Sequence, residues 1–303
     1  MISVENLCKE FNGIKALDRV TLKIEKGEAF GLIGPNGAGK TTLVRILTGQ
    51  IAASSGEIRF EGAAIDPRER SYRLRIGLVP QEAAFYGRLS ARENLELIGS
   101  LYGMPRSSIS DKAGELLDWS GLMPHAERQV RLFSKGMQQR LSLAMGLMHQ
   151  PDFLYLDEPT SGLDPEARIS LWDLILRLSA QGTAIMMTTH NMEEADHLFG
   201  RLAVLVDGAI REEGTPEDIK ALLGSDRLEL KLRLPDAEVL DRLCGPLDLT
   251  WTMEDERVVI TGNRVSERIP QIVMTLGPDI LNLQYREVTL EDAFLRFMGQ
   301  VRR

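Results

Sequence analysis

Cysteine is scarce in this chain: Cys8 and Cys244 are the only two in 303 residues. They lie far apart, with neither a CxxC pair nor a metal-ligand spacing, which excludes a disulfide scaffold and points to a reducing cytosol. The histidines His125, His149, His190 and His197 are not clustered as zinc ligands are; His190 and His197 lack a third partner in the right place. No run of about eighteen apolar residues occurs, so no bilayer span is expected. The opening MISVENLCKEF carries charges where a secretory signal needs its apolar core. Repeats and low-complexity tracts are missing. So is a basic excess: the net charge of −8 argues against general attraction to nucleic acid. It leaves room for a local anion site.

What is there is ordinary in bulk, with 43% apolar and 26% charged residues, and long enough for one large unit plus a small one. Residues 1–30 alternate as strands with glycine punctuation. GLIG then runs into GPNGAGKTTLVRILTG, a glycine loop followed by a helical pattern that Gly49 closes. IGLVPQ reads as a strand that ends at Gln81. Residues 91–150 are mostly helical, with breaks at MPRSS and GLMPHAERQV. FLYLDEP and TAIMMTTH are short apolar runs of the buried parallel kind, with a helix between them. Strands alternating with helices predict an α/β domain with a parallel sheet. After Thr215 a short helix and a linker lead to LELKLRL, which alternates like a strand wet on one face. A small α+β domain of helices and strands follows. Its last helix opens at TLED, a capping box of Thr289 and Asp292, with Leu290, Phe294 and Phe297 on one face.

The segment Gly34, Pro35, Asn36, Gly37, Ala38, Gly39, Lys40, Thr41 fits GxxxxGK[ST]. Its glycines let successive backbone N–H groups turn around a phosphate, and the following helix aims its positive end at the same place. Lys40 would reach the β- and γ-phosphates and the Thr41 hydroxyl would ligate Mg²⁺. Asp157 follows the buried strand FLYL, where a carboxylate holds Mg²⁺ through water. Glu158 beside it is placed to orient or deprotonate an attacking water. His190 ends TAIMMTT; Asn191 caps the next helix, with Glu194 completing a capping box. That fixes His190 at the carboxyl edge of the sheet, and Gln81 ends its own strand at the same edge.

These residues, in this order, resemble the ATP-binding subunit of an ABC transporter over about residues 1–220. Gly34 to Thr42 is similar to the family's Walker A loop, Gln81 to its Q-loop, and Asp157–Glu158 to the end of Walker B. Ser161 to Asp164 matches the D-loop and His190 the switch histidine. Phe11 falls where the family keeps a ring to stack on adenine. FSKGMQQR, Phe133 to Arg140, stands where the family carries LSGGQ; Lys135 and Met137 replace its usual glycine and glutamine.

The resemblance implies a P-loop NTPase fold, a RecA-like core with a helical and an antiparallel β-subdomain. An ATP-binding domain would span 1–222, its helical subdomain about 82–150, followed by a small α+β domain at 227–303. It implies ATP hydrolysis with Mg²⁺ at Thr41, Gln81 and Asp157, and catalytic roles for Glu158, His190 and Gln81. It also implies a head-to-tail homodimer in which Ser134, Lys135, Gly136 and Asp164 meet the partner's nucleotide. A separate polytopic permease would dock near residues 82–105, holding the protein at the cytoplasmic face of the membrane. The SxGM signature and the TLEDAF-like end resemble exporters of the drug-resistance and nodulation-factor type. An importer ATPase, a soluble ABC ATPase not coupled to transport, and a non-enzymatic nucleotide-binding scaffold are the alternatives.

Overall fold

The computed structural model describes residues 1–222, 226–254, 257–262, 265–292 and 294–295. Two compact units divide between Thr215 and Pro216. The first begins with β1 (Ile2–Phe11), β2 (Ile14–Ile24), β3 (Ala29–Ile33), α1 (Lys40–Leu47), β4 (Ser55–Phe60), β5 (Ala63–Ala64), α2 (Arg70–Arg73) and β6 (Ile76–Val79). The helical stretch comprises α3 (Ala91–Leu101), α4 (Arg106–Trp119) and α5 (Lys135–Gly146). Then come β7 (Phe153–Asp157), α6 (Pro165–Ala180), β8 (Ala184–Thr189), α7 (Met192–Leu198), β9 (Arg201–Val206) and β10 (Ala209–Gly214).

A six-stranded sheet runs β10-β9-β3-β8-β7-β6. All its neighbours pair in parallel except β10, which returns antiparallel on β9. Every residue of β7 and β8 is buried, which explains why these strands read as unbroken apolar runs: helices cover both faces of a parallel sheet. The other sheet, β2-β1-β4-β5, is antiparallel. One core packs its Ile2, Val4 and Leu22 with Leu43 and Leu47 of α1 and with Phe30, Tyr155 and Met186 of the parallel sheet. A parallel core, a helical stretch and an antiparallel sheet are the architecture expected. Adjacent strands β3, β8, β7 and β6 all point one way, so the segments that follow them emerge along one edge.

The second unit contains α8 (Pro216–Ala221), β11 (Asp226–Leu232), α9 (Ala237–Cys244), β12 (Leu249–Glu254), β13 (Arg257–Gly262), α10 (Val265–Leu276) and β14 (Ile280–Arg286). From β11 onward the chain runs β-α-β-β-α-β, and the sheet order is β12-β13-β11-β14, a split βαβ arrangement. Leu228, Leu230 and Leu232 are buried in its core with Leu240, Ile260 and Ile272. Arg227, Glu229 and Lys231 alternate with them, and Arg227 and Glu229 pair with Glu254 and Arg257. The reciprocal Thr289–Asp292 box is formed, each backbone N–H donating to the other side chain at 3.1–3.2 Å. Phe297 lies outside the described residues. Among those described, no helix is long and apolar enough to cross a membrane.

Candidate functional site

The loop Gly34–Gly39 leaves the end of β3 and turns directly into α1. Gly39 caps that helix at φ 108°, and a Cβ there would lie 2.6 Å from the Ala16 carbonyl oxygen, so only glycine fits. It offers no side-chain acceptor to the helix, and the first turn holds no acidic residue. The leading N–H groups of α1 therefore reach the loop unmatched by any cap, a backbone cradle for an anion. Lys40 is buried within it. Its ammonium donates to the carbonyls of Gly34 at 2.7 Å and Pro35 at 3.1 Å, and lies 3.2 Å from Glu158 Oε1.

Asp157, the last residue of β7, receives the Thr188 hydroxyl at 2.6 Å and the Thr41 hydroxyl at 3.3 Å on one oxygen. Three elements thus hold one carboxylate. Glu158 follows in the left-handed region at φ 46°, a conformation that costs a side-chain-bearing residue about 1–2 kcal/mol. Its N–H is tied to the Thr188 hydroxyl at 3.0 Å. Around its carboxylate stand three groups from three other segments: Lys40, His190 with Nδ1 at 3.0 Å, and Gln81 with Nε2 at 3.4 Å. Lys40 and Glu158 are both buried while half of the His190 side chain is exposed. Removing one member of a buried ion pair leaves its partner's charge uncompensated.

The cleft containing these groups has a volume of about 550 Å³, within the range of small-molecule sites. Ala16 and Ser161 line it beside most of the expected residues, while Gly34, Ala38 and Asp157 do not reach its wall. Thr42 joins it; Phe11 stands apart, 45% exposed at the β1–β2 hairpin with the Lys9 ammonium 4.7 Å from its ring centre. Ser134, Gly136 and Asp164 line a different cleft of about 290 Å³. There two helix starts lie side by side. Ser134 caps α5 by accepting from the Met137 N–H at 3.3 Å, and Asp164 caps α6 by accepting from the Ala167 N–H at 2.9 Å. A Cβ on Gly136 would sit 2.7 Å from that of Ala167, which is why the two starts come so close. Lys135 is exposed and rests its ammonium over Gly162; Met137 lines the cleft instead of leaving it.

Two expectations are corrected. Strand β6 stops at Val79, two residues short of Gln81, because Pro80 has no N–H to donate to a ladder. Asn191 does cap α7, accepting from the Glu194 N–H at 3.2 Å, but Glu194 does not complete a box. Its carboxylate turns away and accepts from the Trp172 indole at 2.8 Å, while the Asn191 N–H donates to the Thr189 hydroxyl at 3.0 Å. The Ser90–Glu93 pair shows the reciprocal form at the start of α3. Spacing is the same in both; a buried indole across from α7 decides the difference. Thr188 went unread in the sequence, although the polar end of TAIMMTT was its signal. Ala16 had none.

A glycine-loop cradle with a lysine, an aspartate and a glutamate at neighbouring strand ends defines a P-loop nucleotide-binding protein. The comparisons narrow this. Residues 17–161 match the family described as "ABC transporter". Over 308 residues the chain is 36% identical to the daunorubicin resistance ATP-binding protein DrrA3 of Streptomyces coeruleorubidus, covering 100% of this chain and 97% of the relative. It is 34% identical to the Nod factor export ATP-binding protein I of Cupriavidus metallidurans, covering 99% and 98%. A solved dimeric post-hydrolysis state of the ATP-binding cassette MJ0796, bound to ADP and Pi, superposes with a TM-score of 0.64 at 27% identity, covering 71% of this chain and 98% of that one. The chain belongs to the ABC transporter family, as an ATP-binding and ATP-hydrolysing subunit.

Proposed function

We infer that this subunit powers an exporter: it dimerises head to tail around two Mg·ATP and drives a separate polytopic permease from the cytoplasmic face of the membrane. The observation that carries the chemistry is Glu158, gripped at once by Lys40, Gln81 and His190. Export is supported by whole-length similarity to proteins named for drug resistance and Nod factor export. Residues 1–222 form the ATP-binding domain in this reading, 82–150 its helical part, and 227–303 a distinct small domain.

Gly34 to Thr42 hold the triphosphate, with Phe11 at the adenine. Lys40 exchanges Glu158 for phosphate oxygens, which releases that carboxylate to hold water. The water attacks the γ-phosphorus, its proton passes to Glu158, the bond to the β-phosphate oxygen breaks, and ADP and phosphate result. His190 contacts the γ-phosphate. The Thr41 hydroxyl, Asp157 and the Gln81 side-chain oxygen are the Mg²⁺ residues. They are hard oxygen donors, which suits a Mg²⁺ ion shared with phosphates. Mg²⁺ held there would neutralise charge that develops on the transferring phosphoryl group. Ser134, Lys135, Gly136 and Asp164 close over the partner's nucleotide, their two helix starts favouring an anion.

Purification of the protein from its native membrane tests the transport reading. A polytopic partner is expected to accompany it; recovery with ribosomes or as a lone soluble ATPase would overturn export.

A further inference from the structure

Glu194 is fully buried, and one of its oxygens, Oε2, has no hydrogen-bond partner. It takes no part in the chemistry above. A buried carboxylate with an unmatched oxygen is costly, and an apolar residue would serve the core of α7 better if packing were the only task. The other oxygen accepts from Trp172 on α6, and the His197 ring stacks obliquely on the same indole, with centroids 5.0 Å apart. One turn of α7 thus grips a single side chain of α6.

Those two helices carry two walls of the phosphate cleft. Helix α7 is capped by Asn191, the residue after His190; α6 is capped by Asp164, three residues after Ser161, and both His190 and Ser161 line the cleft. We propose that Glu194 and Trp172 are positioning residues for hydrolysis: their buried bond fixes the spacing of α6 and α7, and so of His190 and Ser161 about the attacked phosphate. The loop that grips the phosphates belongs to α1 and is not under this control. This rests on the hydrolytic roles assigned above. It predicts a loss in turnover without a loss in ATP binding.

The test measures kcat and KM for ATP on the full chain. Trp172→Phe keeps a ring but removes the donor, and is expected to lower kcat about tenfold with KM changed less than about twofold. Glu194→Gln keeps an acceptor for the indole and is expected to retain at least about half of the wild-type kcat. Should Trp172→Phe fail to fold, Glu194→Met against Glu194→Gln gives the same comparison. A donor-less or acceptor-less variant that folds and turns over at the wild-type rate overturns the proposal, as does a Glu194→Gln enzyme no faster than Trp172→Phe. Glu158→Gln, run alongside, separates the two ideas. If it hydrolyses ATP normally, the site reading fails; if it is inactive while Trp172→Phe is normal, only the positioning role does.

Discussion

The phosphate cleft and the signature cleft of the first unit are built in opposite ways. The first gathers several strand ends around the start of α1, and its charges neutralise each other inside the chain: Lys40 meets Glu158, and Asp157 is held by two hydroxyls. The second is made from two helix starts and has Lys135 exposed over a glycine. A strand end in a parallel sheet is rigid and buried, so it suits groups that must be held to a fraction of an ångström. A helix start presents N–H groups outward, which suits a surface that closes on another molecule. Under the proposed function, one cleft grips phosphates and the other is offered to a second copy.

Substitutions test that contrast. Glu158→Gln is expected to lower turnover by about 10²–10⁴-fold while ATP binding persists, read by phosphate release and nucleotide titration. In that background ATP should shift the protein to dimer on a sizing column; a monomer would remove the offered cleft from its role. Lys40→Ala is expected to weaken ATP binding about a hundredfold, because charge-assisted contacts to phosphate vanish. Gly136→Val drives a side chain into Ala167. Turnover is expected to fall about tenfold with ATP affinity of the monomer unchanged, which would show that the two clefts fail separately. The smallest effect tests the floor beneath the gripping cleft. Tyr155 on β7 is fully buried, and its hydroxyl pairs with that of Tyr72 at 2.9 Å. Burial raises the pKa of both phenols, so they pair as neutral groups. Tyr155→Phe is expected to cost about 1–2 kcal/mol in denaturant unfolding, with turnover unaltered.

Much of the gripping cleft was legible because its residues follow apolar strands in sequence. Gly34–Thr41, Asp157–Glu158 and His190 each come just after a short buried run, and a buried run ending in charged residues marks a carboxyl edge. Glu194 was misread because spacing alone cannot distinguish a glutamate that returns to its cap from one drawn to an indole on another helix. Lys135 gave no local sign that it would rest on Gly162, since that contact joins segments far apart in the chain.

From the amino-acid order came the motifs, the alternation of strands and helices, and the pattern of the second unit, because these depend on periodicity and on near neighbours. The fold alone decided that Gln81, Lys40 and His190 meet on one carboxylate, and that Ser134 and Asp164 open a separate cleft. Those outcomes follow from strand order and helix packing, which bring together side chains that no local pattern connects.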